Sequence, residues 1–332
     1  MNDKVLQWLL EEEDPSVRYA TLTTLLDKHA DDCAVQSARK AIMERGTVRQ
    51  LLDLQKPGGW WSTDPNAFYT DKYRGTVWNL IILAELGADA SDEKVRSSCE
   101  FIISHSMERS SGGFSTAESR KTKQGLRNLV IPCLTGNMVF SLVKLGYGQD
   151  ERVQKAIDWI CTYQRIDDGD AKRPCGDMYD RYPYCWGAHS CHMGVAKALK
   201  GLAAIPSHAR TVRINSKLDE LVEYFLKHRI YKKSHDLSKV SKSGWLKFGF
   251  PLMYQSDVLE LMDIMASLHV HSEALEEALD LIESKQETDG TWKMQNSYND
   301  RFLVPIETLS KPSKWITLRA LRVLKEYRKT SM

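Results

Sequence analysis

Two kinds of hydrophobic segment alternate along the chain and predict two kinds of helix. Residues 76–87, with the sequence TVWNLIILAELG, are apolar nearly all round, which is typical of a buried helix. Residues 150–160, with the sequence DERVQKAIDWI, carry apolar residues at helical spacing after an acidic start, which predicts a half-exposed helix. We therefore expect each repeat to pair one buried helix with one half-exposed helix.

Six buried segments recur at a nearly constant spacing. They align on Arg18, Trp78, Asn137, Gly194, Asp257 and Lys314, which are 60, 59, 57, 63 and 57 residues apart. A period of this length is too long for a single-turn solenoid and fits a helical hairpin with long loops.

A short turn motif repeats along the chain with a related period. Residues 55–61, 164–169 and 286–292 each begin with Gln and contain Gly, and the first and last end in Trp. Their glutamines are 109 and 122 residues apart, and halving these gaps predicts weaker copies near residues 109 and 225. Residues 110–114 (SSGGF) provide the first copy, whereas residues 227–235 have lost both Gln and Gly.

The number of segments predicts a closed ring. Only five half-exposed segments follow the six buried ones, because the chain ends with the sixth buried helix. The run from Lys4 to Glu12 can supply the missing outer helix and seal the last repeat. We therefore predict an all-α fold, a single (α/α)6 toroid domain over residues 1–332. Helical hairpins can also form an open superhelix, as in HEAT repeats, but the repeated turns and long loops favour the ring.

The repeated turn resembles the Gln-x3-Gly-x-Trp motif of the squalene cyclase and protein prenyltransferase superfamily, the terpenoid cyclase-like toroids. Gln55, Gly59 and Trp61 match it fully, as do residues 286, 290 and 292, while residues 164–169 match it imperfectly. In that family the Gln caps a helix end and the Trp stacks on the turn, so the motif implies architecture more than chemistry. The Asp-x-Asp-Asp acid motif of class II terpene cyclases does not occur in the sequence.

Composition and charge narrow the function classes. The 46 Lys and Arg residues and 44 Asp and Glu residues give a net charge of +2, so a nucleic-acid partner is not expected. No stretch reaches the roughly 18 apolar residues that a transmembrane helix needs, and the N-terminus lacks the apolar core of a signal peptide. Seven cysteines without framework spacing suit a reducing compartment. We therefore expect a cytoplasmic protein.

Cysteine and histidine are concentrated in the loop before the fourth buried segment, between residues 175 and 192. Thiolate and imidazole are the usual tetrahedral zinc ligands. The predicted ligands are Cys185, His189 and Cys191, with Cys175, Asp177 or His192 as the fourth. Protein prenyltransferases hold zinc with Asp, Cys and His at inner-helix starts, but from two repeats and with a close Asp-x-Cys pair that is absent here. The alternative is that the cysteines pack as small apolar groups.

Aromatic residues dominate the loop before the fifth buried segment. Trp245, Phe248 and Tyr254 of this loop, with Trp186 of the preceding one, are predicted to bind a flat or isoprenoid-like apolar ligand. The alternative is that they plug the mouth of the toroid as ordinary core.

Basic residues lie at three other loop-to-helix junctions. Arg74, Arg301 and Lys314 are predicted to hold a phosphate or carboxylate if they face the cavity together. Solvated rim positions or salt bridges are the alternative.

Three functions remain open at this point. The first is a toroid enzyme acting on an apolar or isoprenoid-like ligand, in which His189, Asp177 and zinc supply acid/base or Lewis-acid chemistry of undetermined reaction type. The second is a non-catalytic scaffold that binds a lipid or peptide. The third is a carbohydrate-active toroid enzyme, which needs two carboxylates about 5 to 10 Å apart across a cleft. The candidate carboxylates are Asp177, Asp180, Asp257 and Asp300.

Overall fold

Helices in two concentric layers form the structure, a computed structural model that describes residues 2–328. The inner helices are α2 (Pro15–Ala20), α5 (Thr76–Glu85), α7 (Pro132–Leu142), α9 (His192–Ala203), α11 (Val258–Ser267) and α13 (Lys314–Tyr327). The outer positions are filled by α1 (Asp3–Leu9), by α3 (Cys33–Glu44) and α4 (Gly46–Asp53), which follow each other across Arg45 and share one position, and by α6 (Glu93–Ser106), α8 (Glu151–Tyr163), α10 (Val212–Lys227) and α12 (Glu276–Ser284). A short antiparallel hairpin of β1 (Lys232–Lys233) and β2 (Asp236–Val240) lies in the loop after α10.

Burial separates the two layers as the hydrophobic pattern predicts. Every residue of α5 from Thr76 to Ala84 is buried. In contrast, α8 buries one face, formed by Val153, Ala156, Ile157, Trp159 and Ile160. Among the described residues, no helix combines the length and apolar character that crossing a membrane requires.

Contacts between helices close the ring. Helix α5 contacts α7, α7 contacts α9, α9 contacts α11, α11 contacts α13, and α13 returns to α2. Each of the first five inner helices contacts the outer helix that follows it, whereas α13 contacts α1 from the other end of the chain. The predicted all-α (α/α)6 toroid with an N-terminal closing helix is therefore confirmed.

The glycine of the turn motif packs against the next outer helix, and this contact identifies α1 as the sixth outer helix. A Cβ on Gly59 would lie 2.3 Å from the carbonyl oxygen of Ser97 in α6, so only glycine allows this approach. The equivalent Gly290 lies against α1, where its Cβ would be 3.2 Å from Cγ2 of Val5. Both glycines have positive φ, a conformation that costs glycine little.

The tryptophan of the motif ties each turn to the helix before it. The indole Nε1 of Trp61 donates to the carbonyl oxygen of Leu51 in α4 at 2.9 Å, and that of Trp292 donates to Ile282 in α12 at 2.8 Å. Both indoles are buried. A buried indole needs such a partner, because an unpaired polar group loses its hydration without compensation.

The backbone amide after the turn makes a second repeated bond, to a threonine hydroxyl of the next inner helix. This bond joins Trp61 to Thr76, Phe114 to Thr135 and Trp292 to Thr317, at 3.4, 3.0 and 3.0 Å. Residues 110–114 are therefore a copy of the turn, as the halved spacing predicts.

Lys314 stabilises ring closure, a role that differs from the predicted ligand contact. Its side chain is largely buried, and its Nζ lies 2.7 Å from a carboxylate oxygen of Glu11 and also pairs with Asp14. Because these partners belong to the N-terminal segment, the lysine joins the two ends of the toroid. The salt-bridge alternative accounts for this placement, and ligand contact by Lys314 stays a prediction.

Candidate functional site

Loops before three inner helices bring aromatic rings together at the N-terminal ends of those helices. The rings of Tyr73, before α5, and Tyr298, before α13, have centroids 4.4 Å apart. Tyr69 and Trp78 lie beside them with centroids 5.1 Å apart, and the hydroxyl of Tyr254, before α11, interacts with that of Tyr73. We call these five residues the aromatic mouth. Tyr69, Tyr254 and Tyr298 are half-buried and can contact a ligand, whereas Tyr73 and Trp78 are buried and support the other rings.

Two cations lie against these rings. Lys72 Nζ is 4.8 Å from the ring centroid of Tyr254 and 5.1 Å from that of Tyr69. The guanidinium of Arg301 is 4.9 Å from the ring centroid of Tyr73 and donates to the carbonyl oxygen of Lys72 at 3.0 Å. Within residues 2–328, no carboxylate forms an ion pair with Lys72. The lysine is therefore held by cation–π contacts and can accept an anionic partner.

The phenols of the mouth stay protonated at neutral pH. Burial raises the pKa of Tyr69, Tyr73 and Tyr254, and neighbouring phenol or thiol groups raise it further. Protonated phenols donate hydrogen bonds, so the mouth offers hydroxyl donors beside two cations.

Two of the predicted ligand-binding residues, Tyr254 and Arg301, belong to this cluster. Arg74 lies at the start of α5 with an exposed side chain, and its contact with a ligand stays a prediction. Sequence reasoning missed Lys72, Tyr73 and their neighbours, although residues 69–74 (YTDKYR) form an aromatic and basic segment directly before a buried helix.

Three other predicted ligand contacts lie in the hydrophobic core. Trp245 is fully buried, and Trp186 and Phe248 each expose 1% of their surface. Trp186 packs edge-on against Tyr179, with centroids 5.1 Å apart. The core alternative accounts for this placement, because a side chain without accessible surface contacts protein and not ligand; ligand contact by these three residues gains no support from the geometry.

The structure does not gather the predicted zinc ligands. Cys175 is exposed, Cys185 and Cys191 are half-buried, and none of the three forms a disulfide. Within the described residues, no three His, Cys, Asp or Glu side chains are placed to hold a metal ion. Burial raises the pKa of the Cys185 thiol to about 12, and the nearby Cys191 raises it further. Zinc needs the thiolate, so the geometry gives this loop no support as a metal centre.

Zinc binding by this loop stays a prediction. Elemental analysis of the purified parent protein, Cys185→Ser and His189→Ala tests it. Stoichiometric zinc that both variants lose would establish the site.

The two predicted catalytic residues face different partners. His189 is exposed, and its Nδ1 lies 3.6 Å from a carboxylate oxygen of Asp168. Asp177 is exposed in a surface groove that Arg127, Asp180 and Arg181 also line. No hydrogen bond or ion pair joins Asp177 to His189 in the described part of the chain. Their joint catalytic role is therefore a prediction without geometric support.

A buried network of charges connects four inner helices. Glu260 accepts from Lys197 at 2.7 Å and from Lys200 at 2.7 Å. Lys200 also pairs with Glu85, which accepts from Arg319 at 2.7 Å. All five side chains are almost completely buried. We call them the central network.

Electrostatics within the central network follows from burial and pairing. Burial alone would raise the pKa of Glu85, but Arg319 and Lys200 lower it to about 2. Burial lowers the pKa of Lys197 to about 8, although Glu260 opposes the shift. The carboxylates are therefore firmly charged at neutral pH, and Lys197 depends on Glu260 for its charge.

The central network can be recognised in the sequence by charged residues within the buried segments, although the average hydrophobicity of these segments does not reveal them. Three successive buried segments each carry two like charges three residues apart, namely 197/200, 260/263 and 319/322. Residues at this spacing share one helix face. Charged pairs on the same face of successive buried helices indicate a polar centre in the ring.

The buried carboxyl group of Asp257 is expected to make the stability of the folded protein depend on pH. It caps α11 by accepting from the amides of Glu260 and Gly249, each at 2.8 Å, yet burial raises its pKa to about 7. From about pH 4 to 7 the folded state then binds a proton that the unfolded state has lost, so this group lowers stability as pH rises.

Urea unfolding of the parent and Asp257→Asn across this range checks the prediction. We expect the variant to gain stability relative to the parent as pH rises, while groups common to both chains, such as His192, cancel in the difference. A difference that is independent of pH would contradict it.

Two solved structures are similar to this chain. The type II terpene cyclase MstE from Scytonema is 13% identical with a TM-score of 0.46, over 96% of this chain and 88% of that chain. A family 76 glycoside hydrolase from a bovine Bacteroides thetaiotaomicron strain is 11% identical with a TM-score of 0.49, over 96% of this chain and 68% of that chain. No protein-family model and no curated protein matches the sequence. At these identities the likeness concerns the fold alone, and the chemistry must be argued from this chain's residues.

Proposed function

We propose that this toroid binds a small ligand that joins an apolar, isoprenoid-like body to an anionic group, at the aromatic mouth. The observation that carries the proposal is the placement of Lys72 and Arg301 against phenol rings of two loops, in a cluster that a third loop completes with Arg301 and Tyr298. Aromatic faces accept an apolar body, and Lys and Arg accept phosphate or carboxylate oxygens.

The same groups suit an enzyme of the transferase or cyclase type. Aromatic rings stabilise a developing carbocation, and protonated phenols can donate to a departing oxygen. A carbohydrate-active enzyme has less support, since the candidate carboxylates do not face each other. Asp177 and Asp180 lie on one exposed loop, and Asp257 is a buried helix cap.

Calorimetric titration with farnesyl diphosphate, farnesol and inorganic diphosphate tests the proposal. We expect the parent to bind farnesyl diphosphate more tightly than either fragment. Lys72→Met and Arg301→Gln should each weaken that binding about tenfold or more, because a hydrogen bond to a charged group contributes about 1.5 to 3 kcal/mol.

Lys155→Met is the matched control, because Lys155 is exposed on the outer helix α8. Analysis of the products after incubation shows whether the ligand is converted or only held, as a scaffold would hold it. Equal affinity of the parent, both mouth variants and the control would exclude the mouth as the binding site.

A further inference from the structure

A cavity of about 420 Å³ lies between the inner helices, at the end opposite the aromatic mouth. All six inner helices contribute to its wall, and α5, α7, α9 and α11 do so near their C-terminal ends. Small-molecule sites typically occupy about 300 to 1,000 Å³. The cavity is therefore large enough for a ligand, and it is separate from the site proposed above.

Charged side chains dominate the wall of this cavity. Five are cationic and three are anionic, an excess of two positive charges. The cations are Arg39, Lys144, Lys200, Arg319 and Arg322, and the anions are Glu85, Glu260 and Asp263.

Three of the five cations form ion pairs with carboxylates of the same cavity wall. Lys200 and Arg319 belong to the central network, and Arg322 lies 3.1 Å from a carboxylate oxygen of Asp263. Within residues 2–328, neither Arg39 nor Lys144 has a carboxylate within ion-pairing distance. The carboxylates of Asp89 for Arg39, and of Glu85 and Asp263 for Lys144, interact with them only at longer range. The charge excess is thus located on two identified side chains that line one cavity.

Helix dipoles do not remove this excess. The C-terminal end of a helix carries a partial negative charge of about half a unit, but the effect falls off within the last turn. At the end of α9, Arg210 donates to the carbonyl oxygens of Ala203 and Ile205 at 3.0 and 2.8 Å. The partial charge at this helix end therefore already has a cationic partner, whereas the C-terminal ends of α5, α7 and α11 offset part of the positive excess without removing it.

Accessibility supports the same assignment, because the side chains of Lys144 and Arg39 are both exposed. The side chain of Lys144 is accessible from the cavity, yet the surrounding protein lowers its pKa. An anion beside it would compensate for this lost hydration.

We propose that this cavity binds a small oxyanion, a carboxylate or a phosphate ester, through direct contacts with Lys144 and Arg39. The paired Arg322 borders the same space. This site lies outside the function proposed for the mouth, and either can fail without the other.

The experiment is calorimetric titration of the full chain with inorganic phosphate, glucose 6-phosphate and citrate, and with glucose as the uncharged comparison. We expect the parent to bind at least one of the anions and not glucose. Binding of phosphate or glucose 6-phosphate would identify a phosphate site, and binding of citrate would identify a carboxylate site. Lys144→Met and Arg39→Gln should each lower the affinity for that anion about tenfold or more, with unchanged urea midpoints.

Two further variants make the test specific. Lys40 neighbours Arg39 on α3 but pairs with Glu44 on the surface, so Lys40→Met should bind the anion as the parent does. Lys72→Met reports anion binding at the mouth, and the loss of affinity caused by Lys144→Met should be the same with and without it. Absence of binding by every anion at millimolar concentration, equal affinity in Lys144→Met and the parent, or loss of binding only in Lys72→Met would each overturn the proposal.

Discussion

Replacing Glu260 by glutamine is expected to destabilise the folded protein by about 3 to 5 kcal/mol, because removing one partner of a buried ion pair leaves the other uncompensated. Glu260 is the ion-pair partner of Lys197, which has no accessible surface, and one of two partners of Lys200. Urea unfolding followed by circular dichroism measures the loss.

The matched variant is Lys197→Met, which removes the charge and keeps most of the volume. Glu260 then retains Lys200 at 2.7 Å and the hydroxyl of Ser256 at 2.6 Å. We expect a smaller loss than for Glu260→Gln, since Glu260 keeps a cationic partner in Lys197→Met, whereas Glu260→Gln leaves the buried Lys197 without its carboxylate. Equal losses in the two variants would show that the network is not organised around Glu260.

Trp292→Ala is expected to lower the free energy of unfolding by about 3 to 5 kcal/mol, the usual cost of truncating a buried Trp. The indole is fully buried, and its Nε1 supplies the hydrogen bond to Ile282 that ties the turn to α12. Truncation therefore creates a cavity and frees the turn that precedes the last inner helix.

Two comparisons separate packing from hydrogen bonding at this site. Trp292→Phe keeps most of the volume and should lose less, with the missing hydrogen bond contributing about 1 kcal/mol. Trp60→Ala changes a half-buried tryptophan of an equivalent turn and should have a small effect. Circular dichroism is the appropriate signal, because these variants alter tryptophan fluorescence. A loss in Trp60→Ala as large as in Trp292→Ala would contradict the assigned role.

Local patterns predicted the fold because the fold is itself repetitive. Apolar segments such as residues 76–87 became inner helices, and the missing outer helix was assigned to the N-terminal run that now contacts α13. Each inference needed only periodicity and a count of segments.

The candidate site was harder to predict because it depends on which loops meet. Tyr254 and Arg301 were identified from their loops, but Lys72 became a candidate only when the rings around it came together. Trp245 and Phe248 carried the aromatic signal of a ligand site and became core, because composition does not show whether a loop folds inward. Lys197 and Lys200 lie within an apolar segment of the sequence. Only the closed ring places them beside the carboxylate of Glu260.

Closure of the ring between α2 and α13 has a consequence for synthesis on the ribosome. About 300 residues separate the contact of Lys325 with Leu25, so at roughly 5 to 20 residues per second α2 emerges roughly 15 to 60 s before its last neighbour is complete. During that interval a nascent chain carries apolar side chains such as Val17 and Leu25, which are buried only in the closed ring. Chaperone engagement is therefore expected to begin at this segment and to last until α13 has emerged.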